Sequence, residues 1–187
     1  MKKYLMFSSR AAIAAIATAG LCLVSVAQAT DETKSDSDTS KTSSTLSAKD
    51  KMFVKHAAKG GMKEVQMGEM GEKQAKSDDV KKIAEKIVTD HKAVNEELKD
   101  LAEKKSVTLP TEAKMSKKME KMSGDNFDKD YLMAMKTDHE KDIAAFEKEA
   151  NDSGSAEDAD VKAWAEKTLP TLKEHLSMIN DALAKMK

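Results

Sequence analysis

The chain has 187 residues, of which 33 are acidic, 32 are lysine or arginine and only 4% are aromatic. Its formal charge of -1 gives no general attraction to nucleic acid. Its only arginine is Arg10, so no other residue can bind a phosphate group with the two parallel hydrogen bonds that arginine makes. The sequence therefore argues against a nucleic-acid-binding protein. Its length favours one domain with a substantial core.

The first 29 residues are typical of a secretory signal peptide. Lys2, Lys3 and Arg10 form a positive start, residues 11–26 are an apolar run, and the letters AQA at 27–29 form a cleavage site of small residues. We predict cleavage after residue 29, which leaves 158 residues, and export to the periplasm. Association with the outer membrane is the alternative location.

Cys22 is the only cysteine, and it is lost with the signal peptide. A lipoprotein signal would require small residues just before this cysteine, but Leu21 precedes it. Because the exported chain then has no disulfide, its stability must come from packing or from a ligand. No second apolar stretch is long enough to span a membrane, so we predict no transmembrane segment after cleavage.

Residues 30–46 are predicted to be a flexible tether, because residues 30–45 contain no apolar side chain. Residues 47–187 are predicted to form the ordered domain, in which every long segment has a helical period. An all-α fold with four helices follows. The predicted helices run over Ala48–Lys76, Asp78–Lys105, Asn126–Ala150 and Ala156–Met186, and the first three are capped by Ser47, Ser77 and Asp125.

The connection between the second and third predicted helices is much longer than the other two. Its roughly 19 residues can extend to about 60 Å, whereas a helix of about 27 residues is only about 40 Å long. The chain can therefore cross the whole bundle at this point. We predict a ferritin-like antiparallel four-helix bundle with a long crossover between its second and third helices, and a simple up-down-up-down bundle is the alternative.

Three of the four histidines fall on or beside the apolar stripes of these helices. The word TDH occurs twice, and it places His91 and His139 in the middle of stripes with steps of three and four residues. His175 lies at the margin of the stripe on the last helix. Each of these three helices is therefore expected to point one histidine inward.

The first helix contributes a carboxylate to the same region. Glu64 falls within about 20° of Phe53 around the helix, and a buried glutamate is costly unless it is paired or bound to a cation. Each of the four residues lies near the middle of its helix, so they are expected to share one layer. They predict a mononuclear site for one divalent transition metal, Zn, Cu or Fe, with the ligands Glu64, His91, His139 and His175.

A second interpretation of the same layer stays open. Three histidines and a glutamate can form a neutral hydrogen-bonded layer that fixes helix register without any metal. His56 lies about two turns before Glu64 and is expected to be outside the layer. Asp90, Asp138 and Glu174 each precede a histidine and lie about 100° around the helix, where they are expected to be solvated or to support the ligands.

Several blocks of the sequence resemble one family. The blocks MFVKHAAKGGMKEVQMGEMGEK, KIVTDHKAV, FDKDYLMAMKTDHEKDI and TLPTLKEHLSMI resemble the ferritin-like exported bacterial proteins called domain of unknown function 4142. The resemblance covers about residues 50–186 and implies a ferritin-like four-helix domain in the envelope, but no activity. Position by position, its pattern falls on Phe53, Glu64, Gly68, Asp90, His91, Asn95, Leu98, Pro110, Phe127, Tyr131, His139, Pro170 and His175.

The sequence lacks the residues of a ferritin di-iron centre. Such a centre needs Glu-x-x-His pairs, but Val88, Lys136 and Leu172 stand three residues before the histidines. We therefore predict a non-catalytic, exported bundle protein with a metal site. The alternative is a structural or interaction protein of the cell envelope without metal, and an envelope protein or a second copy of the chain is the expected partner of either.

Overall fold

The computed structural model describes residues 46–154 and 158–186. The predicted signal peptide and residues 30–45 of the predicted tether lie outside the described residues, as does Ala156, the predicted start of the last helix. Within the described part there are only helices and no strand, so the all-α prediction is confirmed. The helices are α1 Ala48–Gln74, α2 Asp78–Lys104, α3 Lys117–Glu120, α4 Phe127–Asn151 and α5 Ala159–Lys185.

Side-chain capping marks the start of α1 but not of α2, where Ser77 occupies the predicted cap position without a side-chain hydrogen bond. Ser47 accepts a hydrogen bond from the Asp50 backbone N–H at 3.1 Å, as its position predicts. The predicted cap of α4 is wrong by one residue, because Asn126 occupies the cap position instead of Asp125. Gly124 adopts a positive φ of 84°, which turns the chain just before this helix.

The contacts at the helix ends define the topology. Lys105, after α2, pairs with Asp158, before α5, at 2.7 Å. The backbone N–H of Asp158 donates to Asp50 in the first turn of α1 at 3.2 Å. Lys76, after α1, donates its backbone N–H to Asp128 in the first turn of α4 at 2.9 Å. Thus α1 begins where α2 ends, and α4 begins at the opposite end.

The connection between α2 and α4 therefore runs the length of the bundle, which excludes the simple up-down-up-down arrangement. The short helix α3 lies within this connection and was not predicted. The two hairpins, α1 with α2 and α4 with α5, pack so that α1 lies beside α4 and α2 beside α5. Among the described helices, none combines the length and the apolar content that a membrane crossing requires.

Two apolar clusters fill the bundle. One contains Phe53, Phe146 and Trp164 in mutual ring contact, and the other is built around Tyr131 and Phe127. Leu46, at the end of the predicted tether, is 4% exposed and packs in the first cluster. On each of the four long helices a histidine or glutamate lies between the two clusters, so a polar layer divides the core.

The two helices of the first hairpin approach each other closely beside this layer. A Cβ added to Gly68 of α1 would lie 2.5 Å from Cγ2 of Val88 on α2 and 3.2 Å from the Ala84 carbonyl oxygen. Only glycine fits at this distance. The close approach brings the backbones of the helices that carry Glu64 and His91 together.

Candidate metal centre

Three buried histidines meet in the polar layer. The residue exposures of His91, His139 and His175 are 4%, 0% and 1%. One ring nitrogen from each lies within 4.8 Å of the other two, and the ring centroids are 5.3 to 5.7 Å apart. The stripe positions thus predicted the convergence of these histidines correctly.

The hydrogen bond to Met135 assigns the tautomer of His139. Its Nδ1 lies 3.0 Å from the Met135 carbonyl oxygen, which can only accept. Nδ1 therefore carries the proton, and Nε2 carries a lone pair. Oε1 of Glu64 is 3.1 Å from the same nitrogen but has no hydrogen-bond partner in the described part of the chain, because the single N–H is directed to Met135.

The tautomer of His175 is set by Asp90. Nε2 of His175 donates to Oδ2 of Asp90 at 2.8 Å, so its Nδ1 carries the lone pair. Burial alone would raise the pKa of Asp90, but the hydrogen bonds from His175 and Lys86 outweigh it and lower that pKa. Asp90 is therefore a carboxylate, which accepts hydrogen bonds and donates none. This residue supports a histidine, which is one of the two roles predicted for it.

The two lone pairs face each other. Nε2 of His139 and Nδ1 of His175 are 3.1 Å apart, and each ring has already directed its one N–H to another acceptor. With both rings neutral, no proton lies between these nitrogens. The contact is repulsive unless a cation is shared by the two atoms.

His91 adds a third nitrogen. Its Nδ1 lies 3.3 Å from Oε2 of Glu64, whereas its buried Nε2 has no hydrogen-bond partner among the described residues. An unpaired buried acceptor costs about 1–3 kcal/mol. Nε2 is therefore the nitrogen of this ring that is available to a ligand.

All three rings are held neutral. Burial, reinforced by repulsion from His139 and His175, lowers the pKa of His91 to about 3. Burial and the neighbouring His175 likewise lower the pKa of His139 to about 4, and burial lowers that of His175 despite its bond to Asp90. Neutral imidazole is the form that ligates metals.

Glu64 is buried as predicted, and it has an acidic neighbour that sequence reasoning missed. Its exposure is 1%, and burial, together with repulsion from Asp142 and Asp138, raises its pKa well above the usual range. The raised pKa and the hydrogen bond with Asp142 favour the protonated form of Glu64, although burial raises the pKa of Asp142 as well. Asp142 lies one helical turn after His139, and this spacing was the signal that could have identified it.

The remaining candidates lie at the edge of the layer. Asp138 is 7% exposed and pairs with Lys63 at 2.9 Å. The side chain of Glu174 is 57% exposed. The side chain of His56 is 66% exposed and lies 3.9 Å from Asp142, outside the group of three histidines.

A small void borders the polar layer on the side of the aromatic cluster. Its volume is about 20 Å³, and its lining includes Glu64, His91, Asp142 and Trp164. That is room for about one water molecule. The described residues around the histidines thus leave no space for a larger substrate at this void.

Fold and site together define an all-helical protein with a buried group of three histidines that could hold a metal ion. The chain belongs to the DUF4142 family, described as a domain of unknown function, whose family model matches residues 35–182. A search of curated proteins finds no significant match.

The chain is also similar to the crystal structure of a DUF305 fragment from Deinococcus radiodurans. The TM-score is 0.61 and the sequence identity is 12%, and the match covers 75% of this chain and 98% of that chain. At this identity the likeness shows a common helical fold alone.

Proposed function

We propose that this protein is an exported, ferritin-like four-helix bundle that binds one divalent transition metal, Zn, Cu or Fe, in its core and catalyses no reaction. The observation that carries the proposal is the 3.1 Å contact between the unprotonated nitrogens of His139 and His175. A shared cation turns this repulsion into ligation. Imidazole nitrogens suit these three metals.

The spacing of the nitrogens supports a metal of this size. Two ligands at about 2.05 Å in a tetrahedral site lie about 3.3 Å apart, close to the 3.1 Å between His139 and His175. One ring nitrogen of His91 lies within 4.8 Å of a ring nitrogen of each of the other two histidines.

The carboxylates around the rings have the positions of supporting groups. Metal-bound histidines commonly donate their second N–H to a carboxylate or a carbonyl, which fixes the ring and its tautomer. Asp90 serves His175, the Met135 carbonyl serves His139, and Glu64 lies beside His91. Direct ligation by Glu64 stays a prediction, since its oxygens face the Nδ1 atoms of two rings.

Export, the ferritin-like class and the lack of catalysis have separate support. The first 29 residues have the pattern of a signal peptide. The connection that runs the length of the bundle is the arrangement of ferritin-like bundles. The absent Glu-x-x-His pairs, and a void of only about 20 Å³, argue for holding an ion instead of transforming a substrate.

A second candidate function is a structural or interaction protein of the envelope, with a second copy or another envelope protein as its partner. In this case the contact between His139 and His175 would be a hydrogen bond that fixes helix register. With His139 protonated at Nδ1 and His175 at Nε2, that bond requires one more proton between the two rings and hence a buried imidazolium. The lowered pKa of both histidines opposes this charge.

Metal titration of the purified protein tests the two candidates. After treatment with a chelator, the protein is titrated with Zn, Cu or Fe, and bound metal and melting temperature are measured. We expect one ion per chain and, at a free metal concentration a hundredfold above Kd, about 2.7 kcal/mol of added stability. His91→Ala should abolish both effects, whereas His56→Ala, at the exposed histidine, should leave them unchanged.

The opposite result is equally clear. If none of the three metals binds stoichiometrically or changes the melting temperature, the metal proposal is wrong. Should His91→Ala then still lower the melting temperature, the structural candidate gains support.

A further inference from the structure

The ammonium group of Lys86 lies over the outer side of the histidine group. Its Nζ is 3.0 Å from Oδ2 of Asp90, the same oxygen that accepts the hydrogen bond from His175. It is also 3.4 Å from Oε2 of Glu174. The ammonium group of Lys86 thus lies between two carboxylates, and one of them, that of Asp90, is hydrogen-bonded to the proposed ligand His175.

This face is where the histidine group comes nearest to solvent through direct contacts. The side chains of Lys86, Asp90 and Glu174 are 34%, 25% and 57% exposed, and Asp90 touches a ring of the group. Two other acidic residues of the described part lie near the group and are less exposed, Asp138 with a side chain 9% exposed and Asp142 with one 15% exposed. At Asp142, Glu64 stands between the carboxylate and the rings.

We propose that Lys86 gates the metal site. A divalent cation enters and leaves past Lys86, by way of Asp90 and then His175. This inference rests on the proposed function. A cation that approaches Asp90 meets the positive charge of Lys86 at the same oxygen. Passage requires the lysine side chain to swing into solvent, which its partial exposure permits.

Two physical effects set the size of the gating. The ion pairs of a half-exposed lysine hold it only weakly, so the gate slows exchange without closing it. Repulsion between an ammonium and a divalent ion a few ångströms apart corresponds, in a largely aqueous dielectric, to a rate factor of about ten. We therefore expect Lys86→Met to speed cation association about tenfold at low ionic strength, and the factor to shrink as salt is added.

A purely structural role of Lys86 predicts a different pattern. If the lysine only holds Asp90 in position, its loss loosens His175 and lowers the metal affinity. The association rate is then unchanged and the dissociation rate rises. The two roles are separated by measuring rate and affinity in the same variants.

The experiment uses Co(II) as the probe, and it uses the purified protein freed of metal. Association is followed by stopped-flow visible absorbance, and affinity by equilibrium titration. Lys167→Met is the matched control, because Lys167 also joins α5 to α2, through an ion pair with Glu97 at 2.7 Å. Lys86→Gln is a second variant, and circular dichroism checks that each variant folds.

Faster association in both Lys86 variants, with affinity not lowered and with the control unchanged, supports the gate. Association equal to that of the original protein, or an equal change in the control, overturns the gate and leaves the metal site in place. If neither the original protein nor any variant binds Co(II), the proposed function fails and the gate with it.

Discussion

His175 donates its Nε2 proton to Asp90 at 2.8 Å, so a residue of α2 sets the tautomer of a histidine on α5. The ring then presents Nδ1 to the other histidines. The same carboxylate has a second cation partner in Lys86 at 3.0 Å. Asp90, the acidic residue of the first TDH motif, is therefore part of the site and not only a solvated side chain.

Asp90→Ala should weaken metal binding without preventing folding. Removal of such a supporting carboxylate typically lowers metal affinity 10- to 100-fold, because the ring loses its fixed tautomer and its added basicity. We expect a loss in this range for Zn or Co(II), measured by competition with a chelator of known affinity. Asp90→Asn, whose amide oxygen can still accept from Nε2, should lose less.

The control for this prediction is Asp79→Ala. Asp79 also lies on α2 and pairs with a lysine, Lys185, at 3.0 Å, but it does so at the end of the bundle. Its loss removes the same charge far from the rings and should leave affinity unchanged. Equal losses in the two variants would mean that net charge, and not support of His175, determines affinity.

The buried histidines should cost the metal-free protein stability in mild acid. In the unfolded chain a histidine binds its proton near pH 6.5, whereas folded His91 and His139 resist protonation until about pH 3 and 4. Between these values the unfolded state binds more protons. The contribution of these histidines to the free energy of unfolding should therefore fall as the pH drops from about 6.5 to about 4, by up to about 1.4 kcal/mol per pH unit for each histidine.

Urea unfolding at several pH values, with a chelator present, measures this slope. His91→Gln removes one of the titrating groups and should flatten it, whereas His56→Gln should not. Because Glu64 and Asp142, whose pKa values are raised, act in the opposite direction over this range, the test is the comparison of variants: a slope in His91→Gln equal to that of the original protein would contradict the neutral state assigned to His91.

Glu64→Gln should stabilise the metal-free protein at neutral pH. The raised pKa of Glu64 means that folding takes up a proton which the unfolded chain binds only below about 4.5. The stability that the protonated carboxyl group adds is fully present below pH 4.5 and is lost as the pH rises. At pH 7 the native carboxyl group therefore lowers the free energy of unfolding, which a neutral amide does not. The free energy of unfolding should rise at pH 7 and be nearly unchanged at pH 4.

The same variant distinguishes the two roles of Glu64. The amide that replaces the carboxyl group cannot supply negative charge near a bound cation, so Zn affinity should fall while metal-free stability rises. If Glu64→Gln instead lowers the neutral-pH stability of the metal-free protein, Glu64 is ionised there and its assigned proton is wrong.

Position on a helix was predictable from the sequence, but the direction of each hydrogen bond was not. The stripe containing Ile87, His91 and Leu98 predicted which face is buried, and similar heights along the helices predicted that the histidines converge. These are consequences of helical geometry alone. The choice of Met135 as acceptor for His139 depends on ring rotation, which no periodicity specifies.

The contacts between charged side chains of different helices were also not predictable from the sequence. The contact of Glu64 with Asp142 joins α1 to α4, and that of Asp90 with His175 joins α2 to α5. Both depend on the relative rotation of packed helices by a few tens of degrees. The sequence indicated Asp90 as either solvated or supporting, and only the packing of α5 against α2 decides between them.

Gly68→Ala should destabilise the bundle, because it opens the close contact between α1 and α2. The added methyl group would lie 2.5 Å from Cγ2 of Val88 and 3.2 Å from a backbone oxygen that cannot retreat easily. Overpacking of this kind costs about 1–3 kcal/mol, which thermal or urea unfolding would detect. Gly60→Ala on the same helix meets only the Asp142 side chain, at 3.4 Å, and should range from neutral to about 1 kcal/mol stabilising, because alanine favours helix. The double variant Gly68→Ala/Val88→Ala should be less unstable than the sum of its single substitutions, and strict additivity would show that the clash is not with Val88.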